Sequence, residues 1–315
     1  MRSGRLKGPI TGQQTSDLIA AGRQAITEAD LPLSTPPLDG AVIEAVARLQ
    51  GDATAEDLRG QYIDPALSAL MPRRLITLAP TVAPSKGLET LVAAYCPLPE
   101  EGGGTTACGD VVVLRGGDAA LQDGMTILEP LLPASMPTWV WWNGFLDEAP
   151  ELMARVACTS RRLIIDSAVG QPRQCLEVLR QRVESGQAVN DLNWLRLRSW
   201  RETLAMVFDP PDRRDALSHV TQLDIDVEGH HPAQGLLLAA WIADRLGWSL
   251  DSAKTIDEET TAQFHRPDGT AVNVHLMGVP VGQPNVHAGQ IVGMRLICQP
   301  DNGKGVCVIL CADSG

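Results

Sequence analysis

The sequence predicts an α/β protein: a Rossmann-like parallel sheet with flanking helices, followed by an α+β C-terminal domain with antiparallel hairpins. Three observations predict it. Short apolar runs recur at Arg74–Leu78, Asp110–Leu114, Thr138–Trp142 and Arg162–Asp166, each followed by a stretch of helical character. Alternation of that kind builds a parallel sheet with helices on its faces. The runs are continuously apolar, as strands buried on both faces are. After residue 186 the alternation stops, and turn signals stand at Pro267-Asp268-Gly269 and Asp301-Asn302-Gly303.

The elements follow in order. Residues 1–36 read as loosely structured, with one helical stretch near Thr15–Ala29 before Pro32, Pro36 and Pro37. Residues 40–60 read as a helix, because Val42, Ile43, Val46 and Leu49 recur at helical spacing. A short helix ends near Met71-Pro72. The strand Arg74–Leu78 precedes a helix over Leu88–Tyr95 and a Gly-rich loop from Glu100 to Thr106. Helices over 118–132, 147–156 and 172–185 alternate with the remaining strands. Residues 191–208 read as one long helix, capped by Asn190 or Asp191 and stopped by Asp209-Pro210-Pro211. Leu197, Trp200, Leu204 and Val207 form its core stripe. A strand over 219–227 and an apolar helix over 234–246, ended by Gly247, come next. The expected division is an N-terminal helical segment over 1–70, an α/β domain over 71–188 and an α+β domain over 189–315.

Composition bounds the function. At 315 residues the chain suggests two domains, since single cores rarely grow beyond about 250–300 residues. A net charge of −12 argues against nucleic acid or an anionic membrane as partner. No apolar run approaches the ~20 residues of a membrane span. The basic start Met1–Lys7 is followed by no apolar signal core, so the expected location is cytoplasmic. The seven Cys are odd in number and include no Cys-x-x-Cys, which fits neither a secreted disulfide framework nor a zinc ribbon.

Catalytic signals are missing. The first predicted strand is followed by Ala79-Pro80-Thr81-Val82-Ala83-Pro84-Ser85-Lys86-Gly87, which has no Gly-x-Gly-x-x-Gly for close approach to a pyrophosphate. Gly-x-Ser-x-Gly and the Gly-Lys-Ser/Thr phosphate loop are absent too. His230 and His231 are neighbours and point apart on a strand. His265 and His275 could face each other across a hairpin, but no further ligand stands at a convincing spacing. The pairs Asp147-Glu148 and Asp257-Glu258-Glu259 read as solvated faces. No catalytic residue, metal site or cofactor is expected.

Binding signals are stronger. All seven Trp lie between Trp139 and Trp248. Trp gives a large contact area and one N–H donor, which suits junctions and partner surfaces. On the 191–208 helix, Trp194, Arg198 and Arg201 sit at i, i+4 and i+7, away from the core stripe. Asn193, Trp194, Arg198 and Arg201 are therefore candidate partner-binding residues, with Trp139 and Trp142 as further candidates. The bland alternative is a contact within the chain.

The last hairpin can be registered. With Asn302-Gly303 as a two-residue turn, Pro300 falls opposite Gly305 on a pair that needs no N–H, and Cys298 falls opposite Cys307. Cα atoms in such a pair lie ~4.5 Å apart, within disulfide reach. Cys298 and Cys307 are thus a candidate redox disulfide, the alternative being two packed thiols.

Several segments carry a family resemblance. They are Trp139-Val140-Trp141-Trp142-Asn143-Gly144, Arg162-Leu163-Ile164-Ile165-Asp166-Ser167, Asp191-Leu192-Asn193-Trp194, Trp200-Arg201-Glu202 and Phe208-Asp209-Pro210-Pro211. Trp241-Ile242-Ala243-Asp244-Arg245-Leu246-Gly247-Trp248 follows, and Arg73-Arg74-Leu75-Ile76 with Tyr95-Cys96 precede. Together they resemble the OpcA family, most closely its cyanobacterial branch, over roughly residues 70–311. That family comprises assembly proteins and allosteric effectors of glucose-6-phosphate dehydrogenase. The resemblance departs where the family has a Cys-Cys doublet and this chain has only Cys108, and before residue 70. It implies a non-catalytic activator in the oxidative pentose phosphate pathway, with the dehydrogenase as partner and thioredoxin-dependent control. The competing reading is a sugar-phosphate or nucleotide-binding enzyme that uses the parallel sheet.

Overall fold

The computed structural model describes residues 3–7, 41–46, 74–80, 87–95, 109–132, 137–143, 150–229, 232–257, 259–280, 286, 288–300 and 305–312. The chain divides into two compact units, one of residues 1–166 with 178–190 and one of residues 167–177 with 191–315.

Among the described residues, the first unit is built on eight strands: β1 (Ser3–Lys7), β2 (Ala41–Val46), β3 (Arg74–Pro80), β4 (Glu89–Tyr95), β5 (Gly109–Gly116), β6 (Thr138–Asn143), β7 (Arg162–Ile165) and β8 (Val189–Asp191). Their order across the sheet is β1-β4-β5-β3-β2-β6-β7-β8. Strands β5, β3, β2, β6 and β7 pair parallel with one another in that order, whereas β4 pairs antiparallel with β5 and β1 antiparallel with β4. Counted along the chain, the five parallel strands run 3-2-1-4-5, the doubly wound order whose switch point lies between the first and fourth strands, β2 and β6. Three helices alternate with the later strands: α1 (Asp118–Leu128), α2 (Pro150–Cys158) and α3 (Pro172–Glu184). Leu121, Met125 and Leu128 of α1 and Leu152, Met153 and Val156 of α2 are fully or almost fully buried, together with Ile76, Leu78, Leu114 and Leu163 of the sheet. Arg155 ties α2 to α1, donating to the Gln122 carbonyl at 2.8 Å and to Glu129 at 3.0 Å.

The predicted parallel α/β sheet followed by a unit with antiparallel hairpins is what the chain forms, although the sheet of that later unit also contains a parallel pair. Three expectations in its first part are corrected. Residues 41–46 form a central parallel strand, with no helix at that point. The run Ala-Val-Ile-Glu-Ala-Val is short and rich in β-branched residues, and periodicity alone cannot separate such a run from a buried helix. Residues 89–95 form β4, again a seven-residue stretch whose length suits a strand. Ser3–Lys7, expected to be loose, lies on β4 as a strand. The helical stretch near Thr15–Ala29, the helix before Met71 and the Gly-rich loop from Glu100 to Thr106 lie outside the described residues.

The second unit contains a six-stranded sheet of β9 (Val220–Glu228), β10 (Ser249–Ile256), β11 (Glu259–His265), β12 (Ala271–Val279), β13 (Ile291–Cys298) and β14 (Val306–Cys311), in the order β10-β11-β12-β9-β13-β14. Its helices are α4 (Leu192–Arg196), α5 (Arg198–Phe208), α6 (Pro211–Arg214) and α7 (Ala233–Leu246). β9 alternates strictly in its second half: Leu223, Ile225 and Val227 are buried, and Gln222, Asp224 and Asp226 face the other side. Leu238, Ala239, Ile242 and Ala243 of α7 join those residues in one core with Val274, Leu276 and Leu296. Gly247 caps α7 at φ 67°, and its N–H and that of Trp248 satisfy the last carbonyls. The turn at Asp268-Gly269 closes the β11–β12 hairpin as expected, with Gly269 at φ 83° and Asp268 accepting from the Thr270 N–H at 2.9 Å.

Candidate partner-docking site

The segment from Asp191 to Phe208 folds as two helices, because the chain turns at Leu197 (φ −74°, ψ −4°) and starts again. Asp191 caps α4, accepting from the Asn193 N–H at 3.1 Å. Its carboxylate also accepts from the Ser167 N–H at 2.9 Å and the Ser167 hydroxyl at 2.7 Å. The Asn193 amide donates to the Ser167 oxygen and accepts from Gln234, both at 3.1 Å. Gln234 in turn accepts from the Ile291 N–H at 2.8 Å. Ser167, Asp191, Asn193 and Gln234 are 0, 5, 1 and 4% exposed. One buried relay therefore joins the turn after β7, the start of α4, the start of α7 and the start of β13. In a low dielectric such a relay is rigid only when its members are paired, as these are.

Above that anchor the helices sort their side chains. Leu197 and Leu204 are buried in the core with Trp200 and Val207 packed against it, which is the stripe the sequence predicts; Phe208, buried, and Trp194, expected away from the stripe, pack into the same core. Arg201 stacks on Trp194, its guanidinium carbon 3.9 Å from the ring centroid. Arg198 does not join that stack. It projects into solvent and pairs with Glu202 at 2.7 Å, and this hydrogen bond raises its pKa. So exposed a pair adds little stability. Leu195 on α4 and Met206 on α5 are 51% and 69% exposed, and Met206 stands four residues, one helical turn, beyond Glu202. Sequence reasoning missed both. The available signal was an apolar residue at each end of an otherwise polar helix face.

The candidates separate accordingly. Arg198 is on the open face, and Trp194 and Arg201 stand at its border. Asn193, expected to meet a partner, is corrected to an internal role, since both ends of its amide are used inside the relay. On the first unit, Trp139 is 44% exposed and Trp142 only 3%, because residues of opposite parity on β6 take opposite faces. Trp142 is therefore a core residue and leaves the candidate set.

The cysteine register is also corrected. β14 pairs with β13 so that Cys298 faces Val306 and Ile297 faces Cys307. A shift of one residue turns a side chain to the other face. Cys298 is buried and Cys307 exposed, so the two thiols lie on opposite sides of the sheet and do not bridge. The turn at 301–304 from which the other register was counted lies outside the described residues. His275 faces Thr261 and His265 faces Ala271, so those histidines do not meet. Among the described residues, no three His, Cys, Asp or Glu side chains gather into a metal-binding group. Among those residues, too, no helix is long and apolar enough to cross a membrane.

Burial, and next the nearby Cys307, push the Cys298 thiol up to about 11. Thiolate, not thiol, attacks alkylating agents. Brief iodoacetamide treatment near neutral pH is expected to label Cys307 and Cys311 and to leave Cys298 free until the protein is unfolded. Labelling of all three at one rate refutes it. The raised value also has a sign for stability. Cys298 contributes fully below its unfolded value of 9.0, and that contribution is lost as pH rises from there through about 11.

Residues 64–181 match the family model described as the glucose-6-phosphate dehydrogenase subunit N-terminal domain, and residues 187–295 match the corresponding C-terminal domain. A relative from Synechococcus elongatus, named OxPP cycle protein OpcA, is 32% identical over 320 residues, covering 98% of this chain and 70% of its own. The chain belongs to the OpcA family. OpcA relatives from Synechocystis and Nostoc punctiforme are 32% and 33% identical; the matches cover 93% and 78% of this chain, which spans 66% and 53% of their lengths. Among solved structures, a myo-inositol dehydrogenase from Lactobacillus casei in complex with NAD(H) and myo-inositol aligns over 88% of this chain and 75% of its own. It is 9% identical with a TM-score of 0.41, a level that supports no conclusion about chemistry. The quoted OpcA segments now have physical roles: Ser167, Asp191 and Asn193 are members of the buried relay, and Trp194 and Arg201 form the stack above it.

Proposed function

We propose that this chain is a non-catalytic activator and assembly factor of glucose-6-phosphate dehydrogenase in the oxidative pentose phosphate pathway. The observation that carries the reading is the outer face of α4 and α5. Leu195, Arg198, Glu202 and Met206 stand in solvent on helices fixed from beneath by a buried relay. Exposed apolar residues with an Arg among them, held on a rigid support, are the composition of a docking face. Family membership supports the dehydrogenase as partner, since both matching models are described as glucose-6-phosphate dehydrogenase subunit domains. An effector of this kind acts by binding one state of the enzyme better than another. Redox control through thioredoxin belongs to the same proposal, and Cys158, Cys307 and Cys311 are exposed thiols that could serve it.

The test is the cognate dehydrogenase titrated with the chain, with binding and glucose 6-phosphate dependence both measured. Wild type is expected to bind and to lower the half-saturating substrate concentration. Leu195→Asp with Met206→Asp is expected to weaken binding about five- to thirtyfold, as loss of ~1–2 kcal/mol at a docking face does. Wild-type binding and activation by that variant would overturn the assignment of the face. A wild-type chain with no effect on the dehydrogenase would overturn the function.

The 3-2-1-4-5 strand order favours one second reading, a sugar-phosphate or nucleotide-binding enzyme. Against it, β2 leads into Ala47-Arg48-Leu49-Gln50-Gly51-Asp52, with one glycine where a pyrophosphate turn uses three. Calorimetric binding of a nicotinamide nucleotide, or turnover by the chain alone, would decide for the enzyme.

A further inference from the structure

The two edges of the C-terminal sheet are built differently. A free strand edge offers unpaired N–H and C=O groups to any other strand, and proteins blunt it with charges, prolines or bulges. β10 is blunted: it carries Asp251 and Lys254, and its register slips between Leu250 and Ser252. β14, at the other edge, reads Val306-Cys307-Val308-Ile309-Leu310-Cys311, with no charge, proline or glycine. Among the described residues no strand pairs with its outer side. Ile309, at its middle, is 64% exposed, and Cys307 and Cys311 flank it on the same open face.

The direction of the main-chain groups follows from the register. The Ala312 N–H donates to the Val292 carbonyl of β13 at 2.9 Å. Alternate residues of a strand direct their N–H and C=O to opposite sides. Val308 and Leu310 therefore bond to β13, and Cys307, Ile309 and Cys311 point their polar groups outward. The strand is also a palindrome of chemical types about Ile309. Reversed, it presents Cys to Cys, a branched aliphatic to a branched aliphatic, and Ile to itself. Self-complementarity of that kind is the requirement for a two-fold interface between identical chains.

We infer that β14 pairs antiparallel with β14 of a second copy of this chain, about a two-fold axis at Ile309, and that this pairing sets Cys307 opposite Cys311 of the partner subunit. Three pairs, centred on Ile309, then exchange about six main-chain hydrogen bonds. Directly opposed residues of a hydrogen-bonded pair have Cα atoms ~5.5 Å apart, within the range of a disulfide. Within one chain the same two cysteines stand four residues apart on a strand, ~13 Å, and cannot bridge. The pairing therefore permits two symmetric disulfides between chains where none forms inside one. With a low-molecular-weight disulfide such as oxidised glutathione as oxidant, the Cys307 thiolate breaks its S–S bond, releasing one thiol and leaving a mixed disulfide. The thiolate of Cys311 of the partner subunit then attacks Cys307 sulfur and releases the second thiol. Each bridge costs two thiol protons and reduces one oxidant molecule to two thiols. The inference stands apart from the proposed function and needs no dehydrogenase.

Pairing of unlike cysteines gives a discriminating test. In a Cys96→Ser, Cys108→Ser, Cys158→Ser background, the chain is incubated with oxidised glutathione and separated without reductant. A species of twice the chain mass is expected. Cys307→Ser alone and Cys311→Ser alone should each lose it. The two variants mixed, one carrying a mass tag, should recover a covalent dimer made only of unlike chains. Ile309→Lys should lose self-association in the reduced protein as well, with unchanged thermal unfolding as the control for folding. A background chain that stays monomeric when reduced and oxidised overturns the inference, as does covalent dimer in either single variant alone or none in the mixture. Loss of dehydrogenase binding in Ile309→Lys, from a chain that never self-associates, also overturns it and assigns the edge to the enzyme.

Discussion

Asp191→Ala is expected to destabilise the second unit by about 3 kcal/mol or more, the range for removing one partner from a buried charged hydrogen-bond group. Three donors lose their acceptor at once: the Ser167 N–H, the Ser167 hydroxyl and the Asn193 N–H. None has water within reach, since Ser167 and Asn193 are 0 and 1% exposed. The loss also removes the cap of α4, a further ~1 kcal/mol for such a residue. Asp191→Asn keeps one oxygen acceptor in place and is expected to cost about half as much, within the ~1–3 kcal/mol of a single unsatisfied group. Urea unfolding followed by tryptophan fluorescence measures it, since four of the seven Trp, Trp194, Trp200, Trp241 and Trp248, lie in this unit. An alanine variant within about 1 kcal/mol of wild type would refute the claim that the relay anchors the docking face.

Gly235→Val is the second large effect, with an expected loss of about 3 kcal/mol from overpacking. Gly235 lies in the first turn of α7, where the helix backbone comes closest to the sheet. A Cβ at that position lies 3.0 Å from Leu276 Cδ2, 3.2 Å from Val227 Cγ1 and 3.4 Å from Ile225 Cγ2. Those three residues are 2, 1 and 0% exposed and have no room to retreat. Valine adds two methyl groups to a contact already too close, on a β-branched frame whose χ1 is restricted in a helix. Gly235→Ala brings only the Cβ and gains ~1 kcal/mol of helix propensity, so its net loss is smaller. The same urea midpoint measures both, and a valine variant as stable as wild type would refute the close approach.

How much of this was legible in the sequence depended on the kind of signal each element carried. The later half of the α/β sheet was readable because Val111–Leu114 and Leu163–Ile165 are bounded apolar runs and α1 to α3 have clear helical periodicity. Ala41–Val46 was not, because a central parallel strand has apolar residues at nearly every position, so a helical subset can always be picked out of it. The strand is nevertheless the first of the 3-2-1-4-5 order, so misreading it displaced the expected nucleotide turn from residue 47 to residue 79. On α5 the core stripe was legible because it repeats. Asn193 was misread because a buried polar residue and a surface polar residue look alike until their partners, Ser167 and Gln234, are seen 26 and 41 residues away. The cysteine register failed on one assumed turn length. In a strand one residue is the whole difference between facing pairs and opposite faces.

The unequal edges of the C-terminal sheet also set a limit on growth. A sheet with two bare margins can add strands at both, and each addition exposes a fresh one, which is the route to fibres. Here the pairing of two bare β14 margins leaves only β10 at either end, where Asp251, Lys254 and the slipped register at Leu250 refuse another strand. Assembly by this route therefore stops at two chains at any protein concentration. Removing the charges of β10 while leaving β14 intact converts a closed pair into a seed for polymerisation, visible as light scattering.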